Sequence, residues 1–172
     1  MFFTMKRSSV ILCLATAFLL SGCGTAKLLP VSIDSKQPLD GYKYFYIIPT
    51  GDKSGTTGAV YNYGYGTYGS THQVSTNPAD VISGFLIKKG YIRVAELPGQ
   101  HPEETFIVNY GESGRRNVGM FGGYTLEATI QFISASSNEV LCTVTGEGQG
   151  STEADDIRIA VNRCLQAVFD TP

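Results

Sequence analysis

The chain has no tryptophan, only two histidines, and charged side chains at just 16% of its 172 residues. Each scarcity closes off a class of function. A zinc site needs three or four His, Cys or carboxylate ligands, and His72 and His101 stand far apart in segments that read as loops, so no metal is expected. There is no Gly-x-Ser-x-Gly elbow of the kind that presents a nucleophilic serine. The glycines of Gly111-Glu112-Ser113-Gly114 and of Gly119 to Gly123 do not stand between a strand and a helix, as a phosphate-binding loop requires. No nucleotide or other cofactor is expected. Repeats of fixed period and coiled-coil heptads are missing, and after the first 20 residues no apolar run approaches the roughly 20 residues that cross a bilayer. Bases number 13 against 15 acids, a balance that argues against nucleic acid as a partner.

What is present begins at the amino terminus. Lys6-Arg7 precede an apolar run from Val10 to Leu20, which closes on Leu20-Ser21-Gly22-Cys23. This is the pattern of a bacterial lipoprotein signal: a charged start, a hydrophobic stretch too short to span a membrane, and small residues before a cysteine. Residues 1–22 are expected to be removed and Cys23 to be lipidated, carrying a diacylglycerol on its thiol and a third acyl chain on its new amino group. Two or three chains hold a protein on a bilayer almost permanently, since each buried methylene contributes about 0.8 kcal/mol. Gly24 follows where inner-membrane retention signals place Asp, which points to the outer membrane. Thr25 to Pro38 holds a single acid, Asp34, so no acidic run directs export to the cell surface, and a periplasm-facing protein is expected. The mature chain keeps 11 bases against 15 acids, a charge of −4.

Residues 23–40, with Pro30 and Pro38, read as a flexible lipidated tether, and residues 41–172 as a single domain. Tyr42 to Ile48 is aromatic and β-branched and stops at Pro49, the mark of a strand buried at Ile47-Ile48. Thr50 to Thr76 is Gly, Ser, Thr and Tyr without period, a long loop. Asn77-Pro78-Ala79-Asp80 supplies an N-cap, a first-turn proline and an acid at the positive helix end; Ile82, Phe85 and Leu86 continue a helix that Gly90 stops. Tyr91 to Leu97 and Thr105 to Tyr110 read as strands, and Tyr124 to Ile133 alternates apolar and polar residues before returning through Val140, Cys142 and Val144 as a hairpin. Thr152 with Asp155 forms a capping box, and Ile157, Ala160, Val161, Cys164, Leu165 and Val168 make the stripe of a last helix.

The order β-α-β-β-β-β-α predicts an α+β two-layer sandwich: a mostly antiparallel sheet of about five strands with two helices on one face. Once Cys13 leaves and Cys23 is lipidated, Cys142 and Cys164 remain in an oxidising compartment. Both fall on inward faces, and a disulfide between them is expected. It would close a loop of about 20 residues, contributing about 3 kcal/mol.

The strongest binding candidate is Tyr61-Asn62-Tyr63-Gly64-Tyr65-Gly66-Thr67-Tyr68-Gly69. Tyrosine offers apolar area and a hydroxyl at small rotamer cost, and interleaved glycine lets the segment adapt. Tyr61, Tyr63, Tyr65 and Tyr68 are therefore expected to contact an envelope protein partner or a glycan. Arg115-Arg116, placed between two strands, are a second candidate, since paired guanidinium groups hold phosphate or carboxylate.

The lipobox Leu20-Ser21-Gly22-Cys23, the short tether, Tyr42-Lys43-Tyr44-Phe45, Lys89-Gly90-Tyr91 and the element order over Gly41 to Phe169 resemble small outer-membrane lipoproteins whose domain is similar to the amino-terminal domain of the Tol-system propeller protein. The resemblance brings no catalytic residues with it and implies an assembly or accessory role in the envelope. The expected function is a non-enzymatic, membrane-anchored binding component. The competing expectations are an envelope hydrolase or transferase built around His72, His101 and Glu103-Glu104, and a glycan-binding module presenting tyrosine rings.

Overall fold

Leu126, Ala128, Ile130 and Phe132 alternate with polar residues along one strand and are fully buried, which gives the sheet a core face and a wetter opposite face. The computed structural model describes residues 27–63, 66–97, 100–118 and 123–170. The expected signal and Cys23 lie outside the described residues. The strands are β1 (Ser32–Ser35), β2 (Tyr44–Ile47), β3 (Lys53–Tyr63), β4 (Gly66–Thr76), β5 (Ile92–Arg93), β6 (Thr105–Val118), β7 (Gly123–Ser134) and β8 (Val140–Gly148). Among the described residues the helices are α1 (Pro78–Lys88) and α2 (Glu153–Phe169), with a 3₁₀ turn at Pro102–Glu104.

Six strands form one mixed sheet in the order β1-β8-β7-β6-β2-β5, and β3 with β4 form a separate two-stranded sheet. The β6-β7-β8 meander and β1 are antiparallel, while β2 runs parallel to both β6 and β5. The parallel step from β2 to β5 needs a crossover connection, and α1 lies within it. The α+β sandwich is as expected, with six strands in the main sheet and a parallel edge.

Both helices start where their caps lie. The Asn77 side chain accepts from the Ala79 N–H at 3.0 Å, and Thr152 accepts from the Asp155 N–H at 3.1 Å while donating to Asp155 Oδ2 at 2.9 Å. Gly90 ends α1 in the left-handed region at φ 93°. The helices meet the sheet through an aromatic cluster. Phe106 is approached edge-on by Tyr91 at 5.3 Å, Phe132 at 5.6 Å and Tyr42 at 5.9 Å, and Phe169 of α2 joins Phe132, Tyr91 and Phe85 of α1. Against β8 the α2 backbone comes so close that a Cβ on Gly148 would stand 1.9 Å from the Asp156 carbonyl oxygen. Glycine is required there for the approach itself.

Five expectations need correction. Lys53–Tyr63 and Gly66–Thr76, expected within a long loop, pair instead as the two strands of a hairpin. The segment expected as a free tether donates β1 to the sheet edge and buries Leu39. The strand expected over Tyr91 to Leu97 shrinks to Ile92–Arg93, and Ile48 is exposed beyond the end of β2. Finally, Cys142 and Cys164 are free and buried. Cys164 packs its sulfur against Gly146, four residues along β8 from Cys142, about 14 Å at 3.4 Å per residue, well beyond what a disulfide spans. Burial pushes both thiols up, Cys164 to about 12.

Candidate functional site

The tyrosine-rich segment is carried on the β3–β4 hairpin. Its two 11-residue strands reach about 37 Å at 3.4 Å per residue. In the backbone register Tyr61 pairs with Tyr68, Thr57 with His72 and Tyr63 with Gly66. Because side chains alternate along a strand, Tyr61, Tyr63, Tyr68 and His72 occupy positions on one face of the ladder. The opposite face takes Thr56, Gly58, Val60, Asn62, Thr67, Gly69, Thr71 and Gln73. Tyr65 lies outside the described residues. The sequence reading found these tyrosines but not the strand register that aligns three of them.

The base of the hairpin is tied to the domain by polar groups. The Thr50 hydroxyl donates to Asn77 Oδ1 at 2.7 Å, and Asn77 Nδ2 donates to the Thr50 carbonyl at 3.1 Å and to Asp52 Oδ1 at 3.0 Å. Lys53 pairs with Glu112 of β6 at 3.0 Å, and Arg158 of α2 donates to the Thr76 hydroxyl at 3.0 Å. Asn77 thus caps α1 and closes the hairpin with one side chain. Beyond this base, β3 and β4 pair only with each other among the described strands.

Arg115 and Arg116 fall within β6, not in a loop, and both are engaged by carboxylates of this chain. Arg115 reaches Glu153 at 2.6 Å and lies over the Tyr124 ring at 5.0 Å. Arg116 grips Glu147 with Nε and Nη2 at 2.8 and 2.7 Å. Glu147 is 4% exposed and accepts further hydrogen bonds from the Thr125 hydroxyl at 3.3 Å and the Leu29 N–H at 2.8 Å. The guanidinium beside it, with these donors, holds its carboxyl well down, at about 2. Arg163 of α2 donates to the Glu147 and Leu29 carbonyls, and Arg116 also reaches the Lys27 carbonyl at 3.4 Å. Arg116, Glu147 and Arg163 therefore clamp the chain's own amino-terminal segment, a role that no spacing in the sequence announces.

Among the described side chains, those of the hydrolase expectation do not converge. The His101 ring stacks on Tyr44 at 5.0 Å, Glu104 pairs with Lys43 at 3.2 Å, Glu103 is exposed, and His72 belongs to the hairpin. Two surface hollows, of about 450 and 370 Å³, are lined by other residues, among them Asp40, Lys89, Tyr91 and Phe169 in the first and Tyr46, Pro49 and Arg93 in the second. Among the described residues no cluster of His, Cys, Asp and Glu has the makings of a metal site, and no helix is long and apolar enough to cross a membrane.

No protein-family model matches the chain, and no curated protein matches its sequence. Solved structures of similar shape exist. A point variant of PelC from Paraburkholderia phytofirmans, a dodecamer, is 14% identical over 84% of this chain and 100% of that one, at a TM-score of 0.49. A second PelC dodecamer from the same organism is 15% identical over 81% and 96% of the two chains, at 0.47. A PDZ domain protein from Parabacteroides distasonis is 12% identical over 92% of this chain and 40% of that one, at 0.45. At these identities and scores the likeness assigns no ligand, partner or assembly to this chain.

Proposed function

We propose that this chain is a lipid-anchored, periplasm-facing lipoprotein of the outer membrane that serves as a non-enzymatic accessory component of the envelope and engages its partner through the β3–β4 hairpin. The observation that carries the reading is the hairpin's separate pairing: two 11-residue strands form a sheet of their own outside the six-stranded one, set against α2. A two-stranded ribbon on its own is marginal in water, and its two outer edges, which pair with no other described strand, present N–H and C=O groups. A partner strand added to either edge satisfies those groups, and the tyrosine positions on one face supply the side-chain contacts that select the partner. The scattering of His101, Glu103 and Glu104 away from the hollows favours binding over hydrolysis.

The lipid anchor rests on Lys6-Arg7, the apolar run and Leu20-Ser21-Gly22-Cys23. The test crosslinks envelopes of cells carrying the wild type or a variant with Tyr61, Tyr63, Tyr65 and Tyr68 changed to Ser, and purifies the lipidated protein. A partner recovered only with the wild type supports the proposal. The same partners from both variants refute the hairpin as the contact surface, and solubilisation of the Cys23→Ala protein without detergent is the expected sign of the anchor.

A further inference from the structure

The amino-terminal segment is short because most of it is docked. Its backbone is held at Lys27 and Leu29 by Arg116, Glu147 and Arg163, after which β1 pairs with β8 from Ser32 onward. The proposed lipidated residue, Cys23, is then separated from the first held residue, Lys27, by Gly24, Thr25 and Ala26 alone. Four Cα steps at full stretch span about 14 Å, about half the thickness of a bilayer's hydrocarbon core. The domain has no room to hang away from the membrane.

The chain leaves the sheet at one particular end. Arg116 pairs in register with Thr125, two residues before the end of β6 at Val118, so the exit lies beside the tip of the β6–β7 hairpin. That end shows cations to solvent. Lys27 is exposed, Arg115 and Arg116 keep 47% and 42% of their side chains accessible, and Arg163 is half-buried. Of the nearby carboxylates, Glu147 and Asp156 are buried, Glu153 is held by Arg115, Asp155 by Arg158, Ser151 and Thr152, and Glu127 is half-buried one pair further from the tip. Leu29 at 50% exposure and Tyr124 at 37% add the apolar and aromatic groups that suit the headgroup layer.

We propose that this strap seats the Lys27–Arg115–Arg116 end of the sheet on the phosphate-bearing headgroup layer of the membrane, fixing the domain's orientation. The inference rests on the lipid anchor of the proposed function. Guanidinium groups already engaged on one side by carboxylates retain free N–H donors for lipid phosphate, and basic residues near a bilayer gain from its surface potential. The opposite end of the sheet, with the turn at Ser134 to Glu139, points into the periplasm, about 34 Å away along β7 at 3.4 Å per residue.

The test uses the full-length lipidated protein in vesicles of phosphatidylethanolamine and phosphatidylglycerol that carry a short-range quencher on the headgroup. A fluorophore is attached at Asn117→Cys or at Glu139→Cys, both exposed positions, while the buried Cys142 and Cys164 are protected by the fold. The expected result is quenching several-fold stronger at position 117 than at 139, and a fall of that ratio toward one when a long Gly/Ser segment is inserted between Ala26 and Lys27. Equal quenching at both positions in protein that floats with the vesicles overturns the seating, and a ratio untouched by the insertion overturns the strap's part in it. Protein that does not float with the vesicles overturns the lipid anchor itself.

Discussion

Changing Glu147 to Gln tests the clamp that fixes the amino-terminal segment, because the amide keeps the shape and an acceptor for the Leu29 N–H but loses the charge that Arg116 grips. The drop of the Glu147 carboxyl from 4.5 to about 2 corresponds to about 3 kcal/mol, which the half-exposed guanidinium and solvent screening reduce to about 2 kcal/mol. For a domain of this size that is a fall in Tm of about 6 °C at neutral pH. The folded-state value is depressed, so the stabilisation is present above the unfolded value of 4.5 and is lost as pH falls toward about 2. Urea unfolding of wild type and variant across this range should show two curves that differ by about 2 kcal/mol at neutral pH and converge near the acid limit. Equal stability at neutral pH, or a constant offset down to the acid limit, would refute the electrostatic reasoning.

Further expectations follow from the packing. Gly148→Ala drives a methyl group into the Asp156 carbonyl and the Ala160 N–H, 1.9 and 2.6 Å from the new Cβ, and should cost about 3 kcal/mol or more in urea unfolding; a neutral result would contradict the close approach of α2 to β8. Phe132→Ala empties the centre of the aromatic cluster and should cost about 4 kcal/mol, read from the same midpoint shift. The Tyr110 hydroxyl is buried without a hydrogen-bond partner among the described residues, so Tyr110→Phe should leave stability unchanged or raise it by up to about 1 kcal/mol, and a clear loss would reveal a partner for that oxygen. Cys142 and Cys164 should resist alkylation in the folded protein and both react after denaturation without reductant. Absence of that reaction in intact-mass measurements would establish a bridge between them.

The helices were legible because each carries its own punctuation. Asn77-Pro78 and Thr152 with Asp155 mark the starts, Gly90 marks one stop, and the stripe from Ile157 to Leu165 is buried as its spacing implies. The β7–β8 hairpin was equally open to reading, since Leu126 to Phe132 alternates strictly against a wet face. β3 and β4 were hidden for the opposite reason: their threonines, glycines and tyrosines carry no apolar alternation and read as a loop. β1, with the sequence Ser-Ile-Asp-Ser, is an edge strand fully exposed along its length and gives no more signal than a tether. In the candidate site the tyrosines were visible as composition, whereas the Arg116–Glu147–Leu29 clamp was not, because its members are 31 and 118 residues apart and only the strand register brings them together. The disulfide expectation placed both cysteines correctly on inward faces but had no means of knowing their heights along β8.

The most direct test of the account places a photo-crosslinking side chain at Tyr61 in the lipidated protein within intact envelopes, with the same group at Glu139 as a control. A discrete adduct from position 61, missing from position 139 and competed away by the unlabelled wild type, is the predicted result. Adducts that are the same from both positions, or none from the hairpin while the protein remains in the membrane fraction, would contradict the hairpin as the partner-binding arm.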